Sequence, residues 1–228
     1  MRKDRSLFAV TAACAITLTA CLVFSLIFKG EDAGAVVLPS DISESFALDE
    51  ITYLVCSGVL EVSNVNDEIL FFPKSDTTRE YFICALVKLL NVDVSKYANE
   101  DMNIADESDI SEKYRPFVRA ALASGIVSPV LHNGENHIFP RSPITREEAA
   151  DIIGELSVAV IATTRPDAFS DLDTADEQYL KNIKKLIDLG VLVGYPDSTI
   201  KPKKFLTREE FALILYRMAQ NSTFNKTD

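Results

Sequence analysis

The chain has 228 residues, 47% of them hydrophobic and 25% charged, with a formal net charge of −11. That balance is globular, and the length beyond the apolar N-terminus allows one domain with a sizeable core. So acidic a chain excludes non-specific nucleic-acid binding, which depends on clustered Lys and Arg, and any acidic ligand would need a local basic pocket.

The N-terminus opens with the basic flank "MRKDRS", followed by an uncharged run from Leu7 to Phe28. Such a run is long enough to span a bilayer as a helix, and the basic flank orients its start toward the cytoplasm. Three fates fit: an uncleaved anchor, a signal peptide cut after "AGA" at Ala33 to Ala35, or a lipoprotein processed at Cys21. All three export the remainder, so residues 1–35 are read as a signal or anchor segment with a short linker.

Beyond this segment the chain repeats itself. "TRE" occurs at Thr78–Glu80, Thr145–Glu147 and Thr207–Glu209, and a proline (Pro73, Pro140, Pro202) stands five residues before each threonine. Upstream lie "GVL" at Gly58, "GIV" at Gly125 and "GVL" at Gly190. An aspartate precedes the glycine by 19 residues in two units, at Asp106 and Asp171; the matching position in the first is Pro39, which reads as a worn start. The units run over 36–98, 99–164 and 165–218, with a polar tail at 219–228.

Each unit reads as helix, loop, helix. In the third, Tyr179, Leu180, Ile183, Leu186 and Ile187 form one apolar stripe at helical spacing, and Gly190 ends the helix as a C-cap. "GYPDSTIKP" is turn chemistry, and Thr207 with Glu210 then opens a second, heavily apolar helix through a capping box. Thr145 with Glu148 matches it, and in the first unit the pair would be Thr77 with Glu80. Strand signal is limited to short pieces around "EILFF" and "HIFP". The expected fold is all-α, with three helical pairs sharing one core, because repeats that cannot bury their faces alone pack on each other.

Cys56 and Cys84 fall on consecutive helices of an exported region, where either a disulfide or two small buried thiols would fit. His132 and His137 flank "NGEN" in a loop and read as solvated. "DLDTADEQ" at Asp171 lacks the glycine and glutamate of a calcium loop, so Asp171 reads as a cap for the helix after it. No nucleophile elbow, phosphate loop or Cys/His pair is present, so no catalytic residue, metal or cofactor is expected.

The stretch "FSDLDTADEQYLKNIKKLIDLGVLVGYPDSTIKPKKFLTREEFALILYRM" resembles the S-layer homology family, strongly in the third unit and less in the second and first. The resemblance implies three units in a pseudo-threefold helical bundle. It also implies a non-catalytic role at the cell surface, binding anionic secondary cell-wall polysaccharide, often with pyruvate ketals. On that pattern Gly194, Tyr195 and Asp197 would shape a sugar groove beside Arg208, with Arg146 and Arg79 as counterparts. Tyr195 or a phenylalanine would be the stacking face, since the chain has no tryptophan. Arginine suits a carboxylate and a helix start adds N–H donors; on that reading Arg208→Ala weakens wall binding without affecting melting. Each arginine has a second reading, as a pair for a neighbouring acid that holds a loop. Lys201, Lys203 and Lys204 are read either as basic groove residues or as a solvated loop edge. Two function classes stand side by side: the loops of the first two units, which lack Gly-Tyr-x-Asp, fit a membrane-tethered scaffold for a protein partner, and the intact third fits wall binding.

Overall fold

The computed structural model describes residues 37–157 and 169–224. The predicted membrane helix, Cys14 and Cys21 lie outside the described residues, as does the end of the predicted second helix of the second unit. The chain divides into Met1–Leu38 and Pro39–Asp228, and the helical repeats occupy the second of these. Among the described residues no helix is long and apolar enough to cross a membrane.

Among the described residues six α-helices form where the apolar periodicity requires them: α1 Leu48–Cys56, α2 Arg79–Leu89, α3 Arg115–Ala123, α4 Arg146–Leu156, α5 Glu177–Asp188 and α6 Arg208–Gln220. The α5 stripe is confirmed at Ile183, Leu186 and Ile187, all buried, and α6 buries Phe211, Ile214, Leu215 and Met218. The first helix of each unit stops at a glycine with φ of 69–73° (Gly58, Gly125, Gly190), a left-handed conformation that side chains disfavour. Both capping boxes expected from the sequence, Thr145 with Glu148 and Thr207 with Glu210, are formed. The third is not: α2 starts after Thr78, whose side chain makes no cap bond, and Glu80 instead accepts from Ser111 N and Oγ at 2.9 and 2.7 Å.

The fold is not purely helical. Among the described residues two small antiparallel hairpins interrupt it, β1 Ser63–Val65 with β2 Glu68–Leu70, and β3 Val130–His132 with β4 Glu135–His137. Their turns are Asn66-Asp67 and Asn133-Gly134, with φ of 51°, 65°, 52° and 85°. Positive φ at both central residues matches the twist of a two-residue hairpin turn, and Asn-Gly is its strongest sequence signal. The short extended pieces expected around "EILFF" and "HIFP" overlap β2 and β4, but the turn signal that pairs each with a second strand was not read.

The helices pack across unit boundaries: α2 against α3, α4 against α5, and α6 back against α1. Gly154 lets α4 and α5 approach closely, since a Cβ there would lie 2.5 Å from Asn182 Cβ. The segments entering α2, α4 and α6 meet in a three-membered backbone ring: Thr77 N–H donates to Leu206 O (2.8 Å), Leu206 N–H to Ile144 O (3.0 Å), and Ile144 N–H to Thr77 O (3.0 Å). Each unit thus completes its neighbour, and the third closes onto the first.

Candidate functional site

The same cyclic order governs the "TRE" arginines. Arg79 Nε donates to Ile138 O at 2.7 Å, Arg146 Nε to Ile200 O at 2.8 Å, and Arg208 Nε to Phe71 O at 2.7 Å. Each guanidinium holds the loop of the next unit, not of its own. The adjacent glutamates act likewise: Glu80 accepts from Ser111, Glu147 from Asp176 N, and Glu209 from Ser45 Oγ. The first two N–H groups of α2, α4 and α6 are also taken, for example Arg146 N by Lys204 O and Glu147 N by Pro202 O. The helix starts therefore offer these donors to protein carbonyls, and the expectation of free N–H groups for a ligand is corrected.

An aspartate of the same unit holds the other side of each loop. Asp171 accepts from Ile200 N and Lys201 N (2.8 and 2.9 Å), Asp106 from Ile138 N and Phe139 N, and Asp41 from Phe71 N and Phe72 N. Phe72, Phe139 and Lys201 all sit at positive φ, 51–58°, and charged hydrogen bonds hold them there. Asp171 is thus a loop clamp, not a helix cap. The first unit is not worn at this point: Asp41, two residues after Pro39, does the same work.

These contacts separate the residues that the sequence pattern placed together. The turn that carries Gly194, Tyr195 and Asp197 meets Arg146 through Tyr195 and Val193 O, while Arg208 lies at another seam. The Arg146 Cζ lies 4.8 Å from the Tyr195 ring centroid, and its Nη2 donates to Val193 O at 3.2 Å. Arg146 is 4% exposed, and burial lowers its pKa. Lys201 and Lys204 stand 4.3 and 5.0 Å from the same ring. The Tyr195 hydroxyl donates to Glu210 Oε1 at 2.6 Å, and burial, then this bond, push the phenol up. Gly194 is needed for packing: a Cβ would strike the edge of the Phe169 ring and lie 2.7 Å from Thr199 O. Asp197 is an exposed turn residue that accepts from Thr199 N at 3.2 Å and Thr199 Oγ1 at 2.5 Å, and it pairs with Lys201 at 3.0 Å.

Arg208 closes a different seam. Its Nη2 donates to Glu61 O at 2.9 Å, and its Cζ lies 3.9 Å from the Tyr81 ring and 4.5 Å from Phe71. Beside it the Glu61 carboxylate accepts from Lys88 and Lys113 at 2.8 and 3.2 Å. Burial opposes that charge, but the two ammonium groups outweigh it and hold Glu61 below its usual range. At the third seam Arg79 is paired with Glu148 at 3.0 Å, so its charge is neutralised within the protein.

Residues 168–212 match the family model of the S-layer homology domain. That stretch is similar to the S-layer homology domain. Three relatives are similar to this chain. An S-layer protein of Bacillus thuringiensis subsp. finitimus is 28% identical over 200 residues, 86% of this chain and 23% of that protein. The exoglucanase XynX of Acetivibrio thermocellus is 26% identical over 206 residues, 87% of this chain and 18% of that enzyme. An amylopullulanase of Thermoanaerobacterium thermosulfurigenes is 26% identical over 191 residues, 80% of this chain and 10% of that enzyme. The chain thus spans less than a quarter of the length of each.

The S-layer homology match includes Arg208 and the whole Tyr195 turn but not Arg146, which the fold brings to that turn. The three lysines between the Tyr195 turn and α6 are all engaged: Lys203 with Glu147 (2.7 Å) and Asp176 (2.5 Å), Lys204 with Glu210 (2.7 Å), and Lys201 with Asp197. Cys84 is a free thiol, so no bridge joins it to Cys56; burial pushes it up to about 12 and leaves it unreactive. Among the described residues no His, Cys, Asp and Glu cluster forms a metal cage.

Proposed function

We propose that the chain is a non-catalytic cell-surface module, built of three S-layer homology units in a pseudo-threefold bundle, that binds anionic secondary cell-wall polysaccharide. The reading rests on the domain match and on one observation. Among the described residues, no carboxylate is within ion-pair distance of Arg146 or Arg208, whereas Arg79 is neutralised by Glu148. At two seams out of three the guanidinium is not spent in an ion pair, and Glu210 and Asp171 act on Arg146 only from farther off.

At the seam of the second and third units, Tyr195 is the contact face and the ammonium groups of Lys201 and Lys204, with 39% and 41% of their side chains exposed, meet the carboxylate. Arg146 lies beneath them and positions the turn. At the other seam Arg208, half-buried, backs a groove walled by Tyr81 and Phe71. Attachment of the chain, or of a partner it carries, to the wall follows from such binding. The full chain should sediment with purified wall fragments and should cease to do so once the secondary polymer is extracted. Lys201→Ala with Lys204→Ala should weaken that binding about tenfold to a hundredfold, the loss of one to two charge-assisted contacts, and Arg79→Ala should change it least. Undiminished binding to extracted walls would exclude the polysaccharide.

A second reading, a scaffold for a protein partner, is favoured by the β3–β4 tip. There Leu131 is 72% exposed beside a seam without free charge. Capture of a defined cell-surface protein that persists after polymer removal and is lost in Leu131→Asp would support it.

A further inference from the structure

The chain has two histidines, and the fold puts both on one face of the β3–β4 hairpin. The register opposes His132 to Glu135 and Val130 to His137, so His132 and His137 are diagonal neighbours on one side of the ribbon. Their ring centroids are 5.6 Å apart with planes at 88°. Two imidazoles bound tetrahedrally to one cation, with nitrogen–metal distances of about 2.0–2.1 Å, have centroids about 5 Å apart. Rotation of the two side chains would turn a nitrogen of each ring toward a common point.

The surroundings orient one ring of the pair. His137 Nδ1 is 3.1 Å from Glu135 O; a proton donated there leaves Nε2 as the bare, metal-binding nitrogen. Phe139 stacks on His137 (5.2 Å, 13°) and touches the edge of His132 at 5.5 Å, forming an apolar wall. That wall is anchored, because Asp106 accepts from the Phe139 N–H at 2.6 Å. His132 is exposed and His137 half-buried, so a cation can enter from solvent.

We propose that the β3–β4 tip is a two-histidine site for a late first-row divalent cation: Zn²⁺, Ni²⁺ or Cu²⁺. Imidazole selects these over Mg²⁺ and Ca²⁺, which prefer oxygen. No third protein ligand converges among the described residues. The remaining coordination positions therefore belong to water or an outside ligand, and the bound ion is exchangeable. The site is independent of the polysaccharide reading and lies on the hairpin that the third unit lacks.

The test uses the full chain without an affinity tag. Calorimetric titration with ZnCl₂ should give saturable one-to-one binding, with no heat from MgCl₂ or CaCl₂. His132→Ala and His137→Ala should each weaken Zn²⁺ binding at least about tenfold while leaving the helical circular dichroism unchanged. With Cu²⁺, electron paramagnetic resonance on the unmutated protein should show coupling to two equivalent-type nitrogens, a readout that does not depend on any variant folding. Absence of saturable Zn²⁺ binding, or wild-type affinity in the double variant, would overturn the proposal.

Discussion

Arg146 and Tyr195 belong to different sequence units, yet the guanidinium carbon of one lies 4.8 Å from the ring centroid of the other. Through Nε and Nη2 the same guanidinium holds Ile200 O and Val193 O on either side of that ring. The turn that carries the family pattern is therefore shaped by the unit before it. Removing Arg146 should therefore disturb folding. Arg146→Ala should lower stability by about 1.5–3 kcal/mol, the usual range for lost hydrogen bonds to a charged group. Arg146→Lys should recover only part, since an ammonium cannot reproduce the planar fork. Arg208→Ala should behave similarly, because Phe71 O and Glu61 O lose their donors; its melting temperature should fall, against the expectation from sequence that it would not. Chemical denaturation of the three variants decides the point, and unchanged midpoints would mean the seams do not bear on folding.

Glu210 links the turn to acid stability. Burial alone would raise its pKa, but donation from Lys204, Tyr195 and Thr207 N outweighs burial and lowers it from the ordinary 4.5. A folded-state pKa below the unfolded one contributes stability that is present above the unfolded value and lost as pH falls through the folded value. The contribution should thus be intact at neutral pH and decay below pH 4.5. Stability against pH for Glu210→Gln should be flatter than wild type in that acid window and lower above it. Parallel curves would exclude the linkage.

Thr77 occupies the place in the backbone ring that Ile144 and Leu206 occupy in the other units. It is fully buried, and its hydroxyl has no hydrogen-bond partner among the described residues. A buried unsatisfied group costs about 1–3 kcal/mol. Thr77→Val, of nearly the same shape, should raise stability by about 1 kcal/mol and raise the melting temperature. A loss would show that the hydroxyl is satisfied in solution.

Gly194→Ala should be destabilising by about 1–3 kcal/mol, the cost of overpacking, because the added methyl collides with Phe169 and Thr199 O. Phe169→Ala in the same chain should relieve part of that penalty. Additive losses in the double-mutant cycle would mean that the two residues do not meet.

Leu186 tests the core. It is fully buried on α5, so Leu186→Ala should cost about 2–5 kcal/mol by denaturant unfolding. A change within about 0.5 kcal/mol, the range of surface substitutions, would displace it from the core.

Much of the fold was legible in the sequence. The stripe Ile183, Leu186, Ile187, the stops at Gly58, Gly125 and Gly190, and the two Thr-x-x-Glu capping boxes are local physics, set by residues within a turn or two of each other. The hairpin turn at Asn133-Gly134 was equally local, and the signal stood unread in "NGEN". Asp41 was harder: its offset from Gly58 is 17 residues rather than 19, and only the shared task of holding a positive-φ loop identifies it.

What the linear pattern determined, then, was where the described helices start and stop and the family the third unit resembles, because periodicity and capping act over a few residues. Which arginine serves which loop was decided only in three dimensions. Arg146 is 49 residues from Tyr195, and Arg208 is 137 from Phe71, and no local preference spans such distances. Each helix pair could bury its apolar faces only against the next unit, so the chain closed in a ring and moved every arginine one seam along from where the sequence pattern placed it.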